Sequence, residues 1–233
     1  MKMSISASAY CRAVILPLAA SLLMAGCAPR AILNVDGGGE GRLEVGGEDF
    51  AAGRFGILEP EVMMYDVSAG GIFEYRDDWS GSASRRTAVS AAVGLSALGY
   101  ESTLIPDAAG GAAEIFRLKT KMRYHASAFQ SPFFSGTDLT AEIAANTYSV
   151  GPLQALCDAY DVDGLLYIYG FAEKFSDKRR AGAAAADSER TFMAVVLVER
   201  NGRVSWYRHL LAEGGLDIRT EEHSMRIIGA MFQ

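Results

Sequence analysis

Apolar positions along the chain fall into short segments that predict a sheet covered on both faces. Two segments, residues 165–169 and 192–198, are apolar or aromatic at every position. Strands of this kind are typical of the centre of a sheet that is packed on both sides. Shorter strands are predicted where apolar runs are bounded by glycine, proline or serine. They span residues 55–58, 61–67, 71–75, 100–105 and 204–210.

Helical spacing of apolar residues predicts four helices, of which two are long. The first runs from Asp78, a candidate N-cap, to Leu98, with Gly99 as its stop signal. We expect its inward stripe to consist of Val89, Ala92, Val93 and Ser96, with Trp79 and Ala83 nearer its start. The second long helix spans residues 112–129 and is expected to bury Ile115, Leu118, Met122 and Ala126.

The two shorter helices and a hairpin complete the predicted fold. The third helix spans residues 150–160, with Pro152 in its first turn, where a missing N–H costs nothing. The fourth begins near Arg219 and is expected to bury Met225, Ile228 and Phe232. Asn201-Gly202 is the favoured composition for a two-residue hairpin turn. The order of elements therefore indicates an α/β or α+β domain with a mixed sheet and helices packed on it.

The N-terminal segment has the pattern of an export signal. Lys2 and Arg12 precede an apolar run over residues 13–24, which ends in Leu23-Met24-Ala25-Gly26-Cys27. The run is shorter than the roughly 20 apolar residues that a spanning helix needs, and its length fits a secretory signal. The small residues before a cysteine resemble a bacterial lipoprotein signal. The resemblance implies cleavage after residue 26 and lipid attachment at Cys27.

Two other interpretations of the N-terminal segment stay open, an ordinary membrane anchor and a signal that is cut elsewhere. By the lipoprotein resemblance, Ala28 in place of an aspartate after the cysteine implies the outer membrane, with the domain facing the periplasm. Residues 27–53 follow as a glycine-rich polar stretch, and such composition behaves as a flexible tether. The domains predicted are thus a signal (1–26), a lipidated tether (27–53) and a periplasmic domain (54–233).

The net negative charge of the chain argues against some kinds of binding partner. The chain has 22 basic and 28 acidic residues and a net charge of −6, and both basic residues before Cys27 leave with the signal. An acidic protein repels phosphate backbones, so nucleic acid is not expected as a partner. The glycine-rich tether also lacks a phosphate-loop motif, and no cofactor or metal is predicted.

Cysteine and histidine positions give no catalytic cluster. Cys11 leaves with the signal and Cys27 takes the lipid, so the mature chain has only Cys157 and no internal disulfide. Helical spacing aligns Cys157 with Leu153, which predicts a buried thiol rather than a nucleophile. The three histidines lie in three separate predicted elements and are expected to be ordinary surface or core residues: His125, His209 and His223.

Three features outside the core leave alternatives open. Phe133-Phe134 lies in a predicted loop, either as an exposed contact patch or packed back onto the domain. Residues 172–190 are polar and basic, with a cluster from Lys174 to Arg180, and favour a mobile solvated loop over a clamp for phosphate or a partner. Arg85-Arg86 is expected to be solvated.

The order of several motifs resembles a known group of periplasmic lipoproteins. The motifs are Leu98-Gly99-Tyr100, then Val162-Asp163-Gly164-Leu165-Leu166 with Gly170, and finally the run from Asn201 to Trp206. This order is similar to the group around CsgG, LpoB and TolB N-terminal domains. The resemblance implies that Asp163-Gly164 turns the chain into the central strand and that Trp206 fills the core.

Two classes of function follow from these expectations. By resemblance, the favoured one is a nonenzymatic, lipid-anchored scaffold or regulatory module of an envelope complex for export or cell-wall assembly, which binds an envelope protein or itself. The alternative is a hydrolase of envelope polymers that uses acids such as Asp77, Asp78 or Asp163. Helix capping also explains Asp77 and Asp78. Binding of a cell-wall fragment is a third possibility.

Overall fold

The fold is a mixed sheet whose longest strand lies at its centre. The computed structural model describes residues 32–38 and 53–232, except 109–110, 131–147, 178, 180–188 and 214–215, and gives only the backbone for 32–38 and 124–130. Eight strands are present in these ranges: β1 (Ile32–Gly38), β2 (Arg54–Leu58), β3 (Glu61–Val67), β4 (Phe73–Tyr75), β5 (Glu101–Ile105), β6 (Gly164–Phe175), β7 (Arg190–Glu199) and β8 (Val204–Glu213).

Two different strands pair with one side of β6, so the sheet divides there. On the other side of β6, the sheet continues through antiparallel β7 and β8 to β1. On the dividing side, the start of β6 pairs with β2 and its second half pairs with β3, both in parallel. Pro60, between β2 and β3, has no N–H to donate to a ladder, which fits a break at this point. β2 then pairs with β5 in parallel, and β3 pairs with β4 antiparallel.

Four helices cover the two faces of the sheet within the described residues. They are α1 (Asp77–Ala97), α2 (Ala112–Gln130), α3 (Gln154–Tyr160) and α4 (Glu221–Met231). α1 and α4 pack on the face that carries Leu166, Ile168 and Trp206. α2 and α3 pack on the opposite face, which carries Leu165 and Tyr167. The prediction of a mixed sheet with helices packed on it is confirmed, and the described residues form one compact unit.

The inward face of α1 differs from the prediction. Val89 and Val93 are about half exposed and Ser96 is also exposed, whereas Ala83, as predicted, and Ala91 are buried. α1 and α4 lie close together, as the distance of 2.8 Å between the Ser90 and Ser224 hydroxyl oxygens shows. A Cβ at Gly94 would also overlap the Phe232 ring. Close helix packing of this kind requires small side chains, so the branched ones turn outward.

Several element boundaries also differ, each for a local reason. Arg76, not Asp78, is the N-cap of α1, and Asp78 lies in its first turn. α3 begins at Gln154 rather than residue 150, because Gly151 has φ +92° and interrupts the helix. At the hairpin, the Gly202 N–H donates to the Glu199 carbonyl, so the loop has three residues and glycine takes the left-handed position.

Residues 32–38 form a strand, although their composition predicts part of a flexible tether. β1 pairs with β8 along its whole length, from Ile32 opposite Glu213 to Gly38 opposite Tyr207. Main-chain hydrogen bonds to the edge of β8 satisfy the backbone whatever the side chains are. Residues 1–31 and 39–52, with the predicted signal and Cys27, lie outside the described residues, as does Phe133-Phe134.

The basic segment after β6 is shorter than predicted. β6 continues to Phe175, and Lys174 is buried with its Nζ 2.5 Å from Glu189. Arg179 stacks over the Phe175 ring at 4.5 Å and donates to the Ser68 carbonyl. The interpretation of Lys174 as part of a mobile solvated loop is therefore wrong, because a buried ammonium needs a carboxylate partner. Lys178 and Arg180 lie outside the described residues.

Predicted core residues are mostly confirmed. Cys157, Trp206, Ile228 and Phe232 are buried, while Met225 is half-buried. Ile115, Leu118 and Met122 are buried on α2. Only the backbone of Ala126 is described. The apolar side of α4 is thus largely buried in the core of the same chain.

Candidate functional site

A polar groove of about 380 Å³ lies at the amino ends of β2, β5 and β6. Arg54, the first residue of β2, forms ion pairs with Glu101 at 3.1 Å and with Asp161. Its N–H donates to Asp163 Oδ2 at 2.9 Å, and its carbonyl accepts from the Asp163 N–H at 2.8 Å. The hydrogen bond from Arg54 to Glu101 and the charge of Asp161 raise the Arg54 pKa.

The contacts in this groove connect the starts of neighbouring strands. Asp163 holds the start of β2 against the start of β6, in agreement with the turn role implied by the resemblance. Ligands of parallel α/β sheets bind beyond the carboxyl ends of the strands, and this groove lies at the opposite ends. Asp163 is therefore engaged in joining strands.

A charge network around the buried Lys119 lies at the carboxyl ends of β2 and β5. Lys119 on α2 places its Nζ 2.6 Å from Asp107 Oδ1 and 2.7 Å from the Glu59 carbonyl oxygen. Glu61 Oε1 is 3.5 Å from the same Nζ. All three protons of the ammonium thus have an acceptor within reach. Lys119 ties the loops after both strands to α2.

Tyr167 and Arg123 complete this network. The buried Tyr167 hydroxyl donates to Glu61 Oε2 at 3.0 Å, and the Arg123 Nε lies 3.2 Å from the same oxygen. Burial and the neighbouring Glu61 carboxylate raise the pKa of Tyr167, so its phenol stays protonated. The network was not predicted. Its sequence signal was a lysine within an apolar helical stripe, between Leu118 and Met122.

The two charged partners of this network should respond differently to substitution. Lys119 has 3% of its side chain exposed and Asp107 has 48%. Asp107→Ala leaves the Lys119 ammonium buried without this carboxylate and should lower the free energy of unfolding by about 2 kcal/mol. This decrease is smaller than for a fully buried ion pair, because Asp107 is partly exposed. Lys119→Met leaves carboxylates that water can reach, so the free energy of unfolding should decrease less. Urea unfolding checks this order, and equal losses for both variants would contradict it. Exposed Lys121→Met is the matched control.

A second charged cluster surrounds Trp79 on α1. The guanidinium groups of Arg76 and Arg219 each lie 4.3 Å from the centre of its indole ring. Arg76 also pairs with Asp78 at 3.4 Å, and Arg219 with Asp217 at 2.5 Å. These cation–π contacts fix the start of α1 against the segment before α4. Asp78, one of the acids considered for hydrolysis, thus forms an ion pair with Arg76. Asp77 is an exposed residue of the same turn.

The described histidines and the thiol are not brought together. His209 on β8 stacks on Phe192, with ring centres 6.0 Å apart. His223 on α4 accepts a hydrogen bond from the Asp217 N–H. Burial raises the pKa of the Cys157 thiol to about 11, so it is protonated at neutral pH. No group of His, Cys, Asp and Glu side chains in the described ranges is arranged to hold a metal ion.

The large apolar side chains that are exposed in the described part of the chain lie on or beside the edge strands β4 and β5 and on α1 and α2. We call this set of side chains the apolar flank. Tyr65 contacts two of its rings edge to face, Phe73 at 6.3 Å and Tyr75 at 5.9 Å between ring centres. Phe73 is 53% exposed and Tyr75 51%, although three rings lie side by side. Within the described part of the chain, the flank consists of Ile72, Phe73, Tyr75, Val89, Val93, Leu104 and Phe116.

The flank was not predicted from the sequence. Val89 and Val93 were expected to face the core, and residues 71–75 were expected to form an ordinary strand. The signal available was a short run, Ile72-Phe73-Glu74-Tyr75, with aromatic residues at alternate positions of an edge strand. A contiguous cluster of exposed apolar rings, as Phe73 and Tyr75 form with Tyr65, is typical of an interaction site. Separately, no described helix is both long and apolar enough to cross a bilayer.

Comparison with known proteins gives similarity at the level of structure. No protein-family model matches the chain, and no curated protein is significantly similar to it. A PelC dodecamer from Paraburkholderia phytofirmans aligns with 10% identity and a TM-score of 0.40, covering 87% of this chain and 94% of that one. A DUF330 protein from Xanthomonas campestris aligns with 6% identity and a TM-score of 0.39, covering 78% and 83%.

Proposed function

We propose that this chain is a lipid-anchored scaffold or regulatory module of a bacterial cell-envelope complex and that it acts by binding protein. The observation that carries the proposal is the apolar flank, where Ile72, Phe73 and Tyr75 are all at least half exposed. Burying such side chains against a partner contributes about 25 cal/mol per Å². An exposed edge strand also offers main-chain hydrogen bonds to an added strand.

The charged residues support the same proposal. Two of the acids considered for hydrolysis are engaged in the fold: the Asp163 carboxylate accepts from the Arg54 backbone N–H, and Asp78 forms an ion pair with Arg76. Carboxylates used to join elements of the fold are poorly placed to act on a bound polymer. The lipoprotein-like signal ending at Cys27 supports anchoring at the periplasmic face of the outer membrane.

The anchor is tested by Cys27→Ala. Without the thiol that takes the lipid, we expect the protein to leave the membrane fraction and to lose labelled palmitate. Cys11→Ala, upstream of the predicted cleavage site, is the matched control and should leave both readouts unchanged. Palmitate on the Cys27→Ala protein, or release of the unmodified protein without detergent, would show that the chain is not anchored through this residue.

Protein binding by the flank is tested in intact cells with a photoreactive amino acid. Placed at Phe73, it should give a cross-linked adduct with an envelope protein that is lost when Tyr75→Glu introduces charge beside it. The same probe at exposed Gln154 on α3 is the control. No adduct at Phe73, together with peptidoglycan turnover that Asp163→Asn abolishes, would favour the hydrolase.

A further inference from the structure

We infer that β5 pairs with β5 of a second copy of this chain around a two-fold axis, joining two sheets into one. The inference rests on the proposed protein-binding role of the apolar flank and names the partner of its β5 part. It involves the open edge of β5 and the exposed side chain of Leu104.

The outer edge of β5 is open and lacks the usual protection. No described strand pairs with that edge, and Thr103 and Leu104 are exposed. Natural edge strands commonly carry lysine, proline or a bulge that prevents pairing. β5 has none of these within its five residues, and its one charged residue, Glu101, already pairs with Arg54.

The direction of the backbone groups determines the register. The Ile105 carbonyl accepts from the Glu59 N–H on the β2 side. Because backbone groups alternate in direction along a strand, those of Thr103 also point to β2, and those of Ser102 and Leu104 point outward. An axis through Thr103 then sets Ser102 opposite Leu104 of the other copy. Each such pair exchanges two hydrogen bonds, which gives four in all.

Charge favours β5 over the other edge strand of the flank. In this register Thr103 faces Thr103 and Glu101 faces Ile105, so no like charges are opposed, and threonine pairs stabilise adjacent strands. β4 has three residues with Glu74 in the middle. Centred pairing of β4 with a second copy would set Glu74 opposite Glu74, which is destabilising.

Leu104 supplies an apolar side chain at the proposed seam. It is 56% exposed and lies beside Ile57, on the face that α1 covers. A second copy paired in this register would cover the Leu104 side chain, and the buried core would not have to change.

A disulfide at the axis tests the pairing directly. Thr103 facing Thr103 is a pair without mutual hydrogen bonds, whose Cα atoms lie about 4.5 Å apart, within the range for a disulfide. Thr103→Cys in the full chain should therefore give a covalent dimer on a nonreducing gel of whole cells. Glu74→Cys, equally placed on the β4 edge, is the matched control and should remain monomeric. Cys157 is buried and does not compete.

A second variant tests the same seam without a disulfide. Leu104→Lys changes an exposed residue, so the fold is retained, and it should weaken dimerisation of the detergent-solubilised protein about ten-fold or more in sedimentation experiments. A monomeric Thr103→Cys protein, or equal cross-linking of Glu74→Cys, would overturn the β5 pairing. The Phe73 adduct reports on protein binding separately, so its presence without β5 cross-linking would leave the proposed function standing.

Discussion

Replacement of Trp206 by alanine should lower the free energy of unfolding by about 3–5 kcal/mol, as for other buried tryptophans. The indole is 3% exposed and lies in the core between the sheet and α4, with its ring centre 6.3 Å from that of Phe232. The loss is a large fraction of the roughly 5–15 kcal/mol that stabilises a typical domain. Urea unfolding, followed by circular dichroism, measures it.

Trp206→Phe is the matched control for this substitution. The indole Nε1 is buried, and no acceptor for it is found among the described residues. Phenylalanine removes that donor, whose burial without a partner costs about 1–3 kcal/mol, while keeping most of the ring. We therefore expect a much smaller loss than for alanine. An unchanged melting temperature for Trp206→Ala would show that the indole is exposed.

Gly202→Ala should destabilise the protein by about 2–5 kcal/mol, from two separate causes. Gly202 has φ +87°, a conformation that costs residues with a Cβ about 1–2 kcal/mol. A Cβ there would also overlap the backbone carbonyl of Gly151, and backbone cannot move aside as a side chain can. The Gly202 carbonyl accepts from the Val150 N–H, so the segment before α3 would be displaced from the hairpin.

Gly99→Ala separates the two causes. Gly99 has nearly the same φ, +88°, and a Cβ there would have no atom within 4 Å. Its substitution should therefore cost only the conformational part, about 1–2 kcal/mol. Denaturant midpoints for the two variants give the difference. Equal losses would mean that the contact between the hairpin and Gly151 contributes nothing to stability.

Local patterns were sufficient for most of the elements. The continuous apolar runs at 165–169 and 192–198 correspond to β6 and β7, and they are covered by helices on both faces. Gly99 ends α1 as predicted, because a glycine in the left-handed conformation terminates a helix using local geometry alone. Cys157 is buried as predicted, because Leu153, one helical turn before it, is apolar.

The candidate sites depended on contacts between distant residues. Val89 and Val93 have the spacing of an inward stripe, but α4 approaches α1 so closely that only small side chains fit between them. Lys119 is buried because Glu59 and Asp107, each at the end of a different strand, converge on one point of α2. Neither distance is encoded at a fixed sequence separation.

The sequence by itself determined seven of the eight described strands, the four described helices and most of the predicted core residues, because each depends on neighbours within a few turns or one strand. The tertiary structure decided which strands are edges and therefore where β4 and β5 leave apolar side chains uncovered. It also decided that β1 joins the sheet, that Asp78 pairs with Arg76 and that Asp163 binds the backbone at residue 54. Pairing across a sheet and packing between helices join residues far apart in the chain, and periodicity carries no information about such partners.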